Sequence, residues 1–166
     1  TDLSKALELK PDYRQAYYVR GLARAGQTNL QGACDDMDKV IDAKATHDSL
    51  NDYAVLYINL FAVRMGNTTD VRIETTSGWS SAWTQALAAF LNKKVSETEL
   101  LRLAGTTGGP DKSLQQGEAQ YFAGTVKFGA KNKPGARVDF QKAVEISAPT
   151  TAVHRLAQCA LEQSPS

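Results

Sequence analysis

The chain has 166 residues, of which 42% are hydrophobic and 22% charged, so it suits one domain with a buried core and is too apolar for wholesale disorder. Its 19 basic and 18 acidic residues are interspersed and leave a net charge of +1, which argues against a nucleic-acid interface because such a surface needs a basic face. The sequence contains no apolar run long enough to span a bilayer, so we expect no direct membrane span.

Helical periodicity runs through the chain. Apolar residues recur at helical spacing in LQGACDDMDKVI, then in WSSAWTQALAAFL, and finally in AVHRLAQCAL. Between the first two, YAVLYINLFAV is apolar nearly all round, which is typical of a helix packed on both sides. The best strand candidate, DVRIETT, is short and flanked by polar residues. We therefore predict an all-α protein of about eight helices with no sheet.

Helix boundaries carry their own signals. In SETE, Ser96 is expected at an N-cap with Glu99 reaching back to it, a capping box. Pro134 and Pro149 are expected in the first turns of helices, where a missing N–H has no cost. Three glycines follow helical stretches and are predicted to take the left-handed C-cap conformation: Gly26, Gly66 and Gly129.

One spacing of small and bulky residues occurs twice. A glycine is followed 12, 16 and 19 residues later by three apolar residues. The first copy runs through Gly21, Ala33, Met37 and Val40, and the second through Gly124, Ala136, Phe140 and Ala143. The two glycines lie 103 residues apart, three periods of 34 plus one residue.

This pattern resembles the tetratricopeptide repeat, whose period is 34 residues. In the first copy Met37 and Val40 replace the aromatic residue and the alanine that the repeat usually carries. The resemblance implies a solenoid of antiparallel helical hairpins, in which the glycine and alanine let two helices approach and the residue at Met37 or Phe140 fills the gap beside them. We predict one domain over residues 1–166, divided into a remnant of a truncated repeat at 1–11, a repeat at 14–47, degenerate helical repeats at 48–115, a second repeat at 117–149 and a capping helix at 150–162.

The order of features from residue 53 to residue 161 is similar to the C-terminal half of bacterial tetratricopeptide outer-membrane lipoproteins. Those proteins act as adaptors for cell-wall hydrolases and a periplasmic protease. The matching residues are Trp79, Trp83, Glu118, Tyr121, Phe122, Gly124, Ala136, Phe140, Ala143, His154, Arg155 and Ala157. The resemblance implies a location in the bacterial periplasm or at the outer membrane; without it we expect a cytoplasmic protein.

Catalytic and metal-binding patterns are missing from the sequence. His47 and His154 have no cysteine or carboxylate at ligand spacing. Cys34 precedes two aspartates, whose charge disfavours a reactive thiolate, and GTTGGPDKS lacks the order of a phosphate-binding loop. We predict no enzyme activity, no catalytic residue, no metal and no cofactor. Cys34 and Cys159 are expected to be buried thiols, and a disulfide between them stays open.

Binding of a protein or peptide partner is the predicted function. In tetratricopeptide proteins the first helix of each hairpin lines a concave face, and the positions that correspond here are Gln15, Tyr18, Leu22, Ala25, Glu118, Tyr121, Thr125 and Phe128. The lysine and asparagine of a carboxylate clamp are absent from these positions, so we expect a groove for an apolar or aromatic segment. The partner-binding candidates are Gln15, Tyr18, Leu22, Glu118, Tyr121 and Thr125.

Alternative interpretations remain both for the candidate site residues and for the function. Neighbouring hairpins would bury these aromatic residues if the face is closed, and Glu118 would then bond to His154 or Arg155 and orient the last hairpin. The leading prediction is a non-enzymatic interaction scaffold or adaptor. The rival is a regulatory or oligomerising module of a larger enzyme or assembly protein, with homo-oligomerisation left open.

Overall fold

The structure, a computed structural model, describes residues 2–41, 48–67, 73, 78–108 and 111–164. Within these ranges the chain forms nine helices and no strand, so the prediction of an all-α protein is confirmed for the described part. The strand candidate DVRIETT lies outside the described residues except for the buried Ile73. The helices are α1 Asp2–Leu9, α2 Arg14–Gly26, α3 Leu30–Val40, α4 Ser49–Arg64, α5 Ala82–Leu91, α6 Glu97–Leu103, α7 Lys112–Gly129, α8 Lys133–Ile146 and α9 Ala152–Glu162.

Side-chain caps begin most of these helices. Each of seven N-cap residues accepts a hydrogen bond from the backbone N–H three residues later, which pairs an otherwise unsatisfied donor: Asn29, Asp48, Ser81, Ser96, Asp111, Asn132 and Thr151. The predicted capping box at Ser96 is wrong in its second half, because the Glu99 carboxylate accepts from Arg102 instead. A complete capping box joins Ser81 and Thr84.

Two of the predicted glycine caps and one proline position are wrong. Gly66 does take the left-handed conformation, with φ +82°. Gly26 and Gly129 are instead the last residues of their helices, and the left-handed residues are Thr28 and Lys131, two positions later. Pro134 lies in the first turn of α8 as predicted, whereas Pro149 lies in the turn that precedes the Thr151 cap.

Two helical hairpins, α2–α3 and α7–α8, have the same internal contacts at the offset of 103 residues. A Cβ added to Gly21 would lie 3.0 Å from Met37 Cε, and one added to Gly124 would lie 2.8 Å from the Phe140 ring. The remaining matched positions are the left-handed Thr28 and Lys131, the capping Asn29 and Asn132, and the ion pairs Arg24–Asp36 and Lys127–Asp139. The hairpins are therefore equivalent in packing, turn and electrostatics.

Four helices contact one another in a closed ring. α2 contacts α4, α4 contacts α7, α7 contacts α9, and α9 returns to α2, where the Cys159 thiol lies 3.8 Å from the Ala25 carbonyl oxygen. α3 and α8 pack outside this ring, while α5 and α6 connect α4 to α7. The largest fully buried side chains include Trp83, Tyr121, Phe61 and Phe122. Cys34 and Cys159 are both buried thiols. None of the described helices is both long and apolar enough to cross a bilayer.

Candidate functional site

The six predicted contact residues do not form one surface. Gln15 is exposed, Tyr18 and Leu22 are half-buried, and Glu118 is buried. Tyr121 and Thr125 have no exposed surface. They cannot line an open groove in this arrangement, because α9 packs across the ring against both α7 and α2.

The predicted hydrogen bond from Glu118 to the last helix is wrong. His154 Nδ1 lies 3.0 Å from the Ser147 carbonyl oxygen, so this ring anchors the turn before α9. Arg155 lines a different pocket from Glu118. The other histidine, His47, lies outside the described residues.

Glu118 instead bonds to α4 and to α5. The Tyr53 hydroxyl donates to Glu118 Oε2 over 3.1 Å, and the Trp83 indole N–H donates to the same oxygen over 2.6 Å. Glu118 is 4% exposed. Burial raises the pKa of this carboxyl to about 7, although the hydrogen bonds from Trp83 and Tyr53 favour its charged form. It is therefore a titratable group poised near neutral pH.

A concavity of about 290 Å³ opens beside this carboxylate, and we call it the tyrosine pocket. It is lined by Tyr18 of α2, Tyr53 and Tyr57 of α4, Leu114 and Glu118 of α7, and Thr151–Val153 at the start of α9. Tyr57 stacks on Tyr53 with ring centres 6.2 Å apart and lies 6.3 Å from Tyr18 at a tilt. Burial raises the pKa of all three phenols, so they stay neutral at physiological pH.

A second concavity of about 410 Å³ lies between α2 and α9, and we call it the seam pocket. Val19 and Leu22 line its α2 side, and Arg155 and Leu156 line its α9 side. Ala152 belongs to the walls of both pockets, so the two adjoin along one face of the molecule. Val19 is 42% exposed, which gives the seam an apolar surface open to solvent.

A buried polar network beside the site positions α5. Asp52 Oδ2 accepts from the Ser80 N–H at 2.7 Å, the Ser80 hydroxyl at 2.6 Å and the Thr84 hydroxyl at 2.8 Å. These three bonds fix the start of α5 against α4. They thereby hold Trp83, the residue before Thr84, where its indole N–H donates to Glu118.

Three site residues escaped prediction from sequence: Tyr53, Tyr57 and Trp83. The helix that carries the first two is apolar on nearly every side, a pattern that predicts a helix packed on both sides rather than a site. The usable signal was the spacing of Tyr53 and Tyr57, four residues apart on one face of the helix. No pattern in the sequence joins either residue to Glu118, which lies 65 positions after Tyr53.

No protein-family model matches this sequence, and no curated protein matches it. In the described part of the chain, no group of three or more histidine, cysteine or acidic residues is arranged to hold a metal ion. The arrangement of pockets and side chains is therefore the basis for a functional proposal.

Proposed function

We propose that this chain is a non-enzymatic protein-interaction module of the tetratricopeptide type, which binds an extended segment of a partner protein along the α2–α9 face. The carrying observation is the pair of adjoining concavities, the seam pocket and the tyrosine pocket. Such a face offers an apolar surface for affinity and a few convergent polar groups for orientation, the usual composition of a binding site.

The equivalence of the two hairpins supports the tetratricopeptide assignment. Close packing at Gly21 and Gly124 follows from the spacing of small residues alone, but the matched pairs Arg24–Asp36 and Lys127–Asp139 do not. Asp36 and Asp139 are 2% and 3% exposed, so each is a buried anion that needs its cation at a fixed place in the hairpin. Shared positions of this kind indicate one structural unit used twice.

Helix α9 defines which part of the concave face remains for a partner. Because it lies against α2 and α7, it buries Tyr121 and Thr125 and leaves Tyr18 and Leu22 at its edges. A partner segment would run beside α9, with side chains in the two pockets on either side of Ala152. Partner side chains that fill such pockets usually dominate the binding energy.

Site-specific photo-crosslinking tests this proposal. A photoreactive amino acid at Leu22 should cross-link a defined segment of a partner, mapped by mass spectrometry, while the same amino acid at Val138 should not. Val138 is a matched control because it is apolar, 53% exposed and on α8, away from both pockets. Equal cross-linking from both positions, or none from Leu22, contradicts the proposal. Cross-links between two copies of this chain would instead favour the oligomerising module.

A further inference from the structure

Glu118 is a buried carboxylate without a counter-ion. Within the described residues it makes no ion pair, and both of its hydrogen bonds go to Oε2, so Oε1 accepts none there. Buried charges in proteins are normally paired, since an isolated charge loses far more hydration than a few hydrogen bonds restore. This carboxylate lines an open pocket, and the oxygen to which none of the described residues donates is therefore a site for a positively charged ligand.

The walls of the pocket suit the same kind of ligand. Tyr18, Tyr53 and Tyr57 line the same pocket as the carboxylate, and aromatic rings attract cations. Liquid water occupies ~30 Å³ per molecule, so a concavity of about 290 Å³ accommodates a group of several heavy atoms. The end of an arginine or lysine side chain is of that size.

We propose that the tyrosine pocket binds the basic side chain of the partner segment, with Glu118 as its counter-ion and the tyrosine rings as its walls. This inference rests on the proposed function. It adds that the bound segment of the partner carries a positively charged side chain. The same chemistry would hold a free organic amine, so the probes below separate the two sources.

One feature of the pocket opposes a cation. The N-terminus of α9 lies beside the pocket at Thr151–Val153, and a helix N-terminus carries roughly half a positive charge. Ionised Glu118 carries a full negative charge, so it outweighs this partial charge once the carboxyl has lost its proton. We therefore expect the cation to lie on the α2 and α4 side, among the tyrosine rings, and away from α9.

The Trp83 indole N–H reports directly on this site, because it donates to the carboxylate that the ligand would contact. The chain has two tryptophans, so a ¹H–¹⁵N spectrum shows two indole signals, and Trp79 is the internal reference. Titration with tetramethylammonium, and separately with an arginine-containing peptide, should shift the Trp83 signal and leave that of Trp79 in place. Sodium acetate should shift neither. A Trp83 shift with acetate and none with the cations overturns the proposal in favour of an anion site at α9.

Variants of Glu118 and Tyr18 separate the effect of the carboxylate charge from the effect of the aromatic ring. Glu118→Gln keeps an oxygen that accepts from Tyr53 and Trp83 but removes the charge, and it should abolish the response to cations. Tyr18→Ala should weaken binding about tenfold through loss of one ring, whereas Tyr18→Phe keeps the ring face and should bind like the wild type. Thermal unfolding of each variant checks that it folds. Undiminished cation binding by folded Glu118→Gln or by Tyr18→Ala contradicts the inference.

Affinity for the cation should rise with pH between 5.5 and 8.5, because Glu118 must ionise to act as counter-ion and burial raises its pKa to about 7. Besides Glu118, the titratable or charged groups that line the pocket or lie beside its lining residues are Tyr18, Asp52, Tyr53, Tyr57, Asp111, His154 and Arg155. His154→Gln is the control for titration on α9 and should keep the pH dependence. If it removes the dependence, Glu118 is not the counter-ion.

The outcomes also distinguish this inference from the proposed function. If Leu22 cross-links a partner segment but no cation shifts the Trp83 signal, the proposed function stands and the proposal of a basic side chain in the tyrosine pocket fails. A response to tetramethylammonium without one to the peptide supports the cation site and assigns it to a free amine.

Discussion

Gly124 is the position where the hairpin tolerates least additional volume. A Cβ built there would lie 2.8 Å from two carbons of the Phe140 ring and 3.1 Å from the Ala136 carbonyl oxygen. Phe140 is fully buried and cannot swing away, and the carbonyl belongs to the backbone of α8. The two helices must therefore separate in Gly124→Ala, which costs about 1–3 kcal/mol of overpacking.

The matched control is Gly26→Ala, where an added Cβ meets nothing within 4 Å. Gly124→Ala gains up to about 1 kcal/mol of helix propensity inside α7, whereas Gly26→Ala gains less at the end of α2, so the difference in their stabilities is a lower bound on the overpacking. We expect Gly124→Ala to be less stable than Gly26→Ala by about 2 kcal/mol, a difference in Tm of roughly 4–8 °C for a chain of this size. Differential scanning calorimetry measures both. Melting temperatures that agree within about 1 °C would refute the close-approach role of Gly124.

Further substitutions test three buried acidic residues by urea unfolding. Asp52→Ala removes the carboxylate that accepts from the Ser80 N–H and from the Ser80 and Thr84 hydroxyls, and it should lose about 3 kcal/mol, with Asp52→Asn losing less. Asp36→Ala removes the ion-pair partner of two arginines and should lower the free energy of unfolding by about 2 kcal/mol. The exposed control Asp35→Ala should change it by less than about 0.5 kcal/mol. Because the folded-state pKa of Glu118 is raised from 4.5 to about 7, the folded protein keeps a proton that the unfolded chain releases. The free energy of unfolding should therefore decrease as the pH rises between those two values, on the order of 3 kcal/mol in total. Glu118→Gln should flatten this pH dependence.

Local chemistry made the helices and the hairpins predictable. The spacing from Gly21 to Met37 repeats from Gly124 to Phe140, and in both copies the structure puts the glycine against that bulky residue. A capping side chain acts within three residues of its partner, so the Ser96 cap was visible in the sequence. Its reciprocal bond was not, because Glu99 has a competing partner, Arg102, one turn further along the exposed helix surface.

Long-range pairing was not predictable in the same way. The contact between Cys159 and Ala25 spans 134 positions, and the helical period of α9 shows only that one of its faces is apolar. An apolar face of this kind is equally compatible with the last helix of an open array. The partners of Glu118 were not predictable for the same reason. Tyr53 meets it because α4 packs against α7, and Trp83 meets it because Asp52 fixes α5 against α4.

The return of α9 to α2 decides how the concave face can be used. An open array would have exposed Tyr121 and Thr125 along a continuous groove, but the ring of α2, α4, α7 and α9 buries both and divides the remaining surface at Ala152. The apolar part lies at Val19 and Leu22, and the charged part lies at Glu118. On the proposed function, a ligand that fills both pockets would carry an apolar group and a cation a short distance apart, so the position of α9 would set the selectivity of this face.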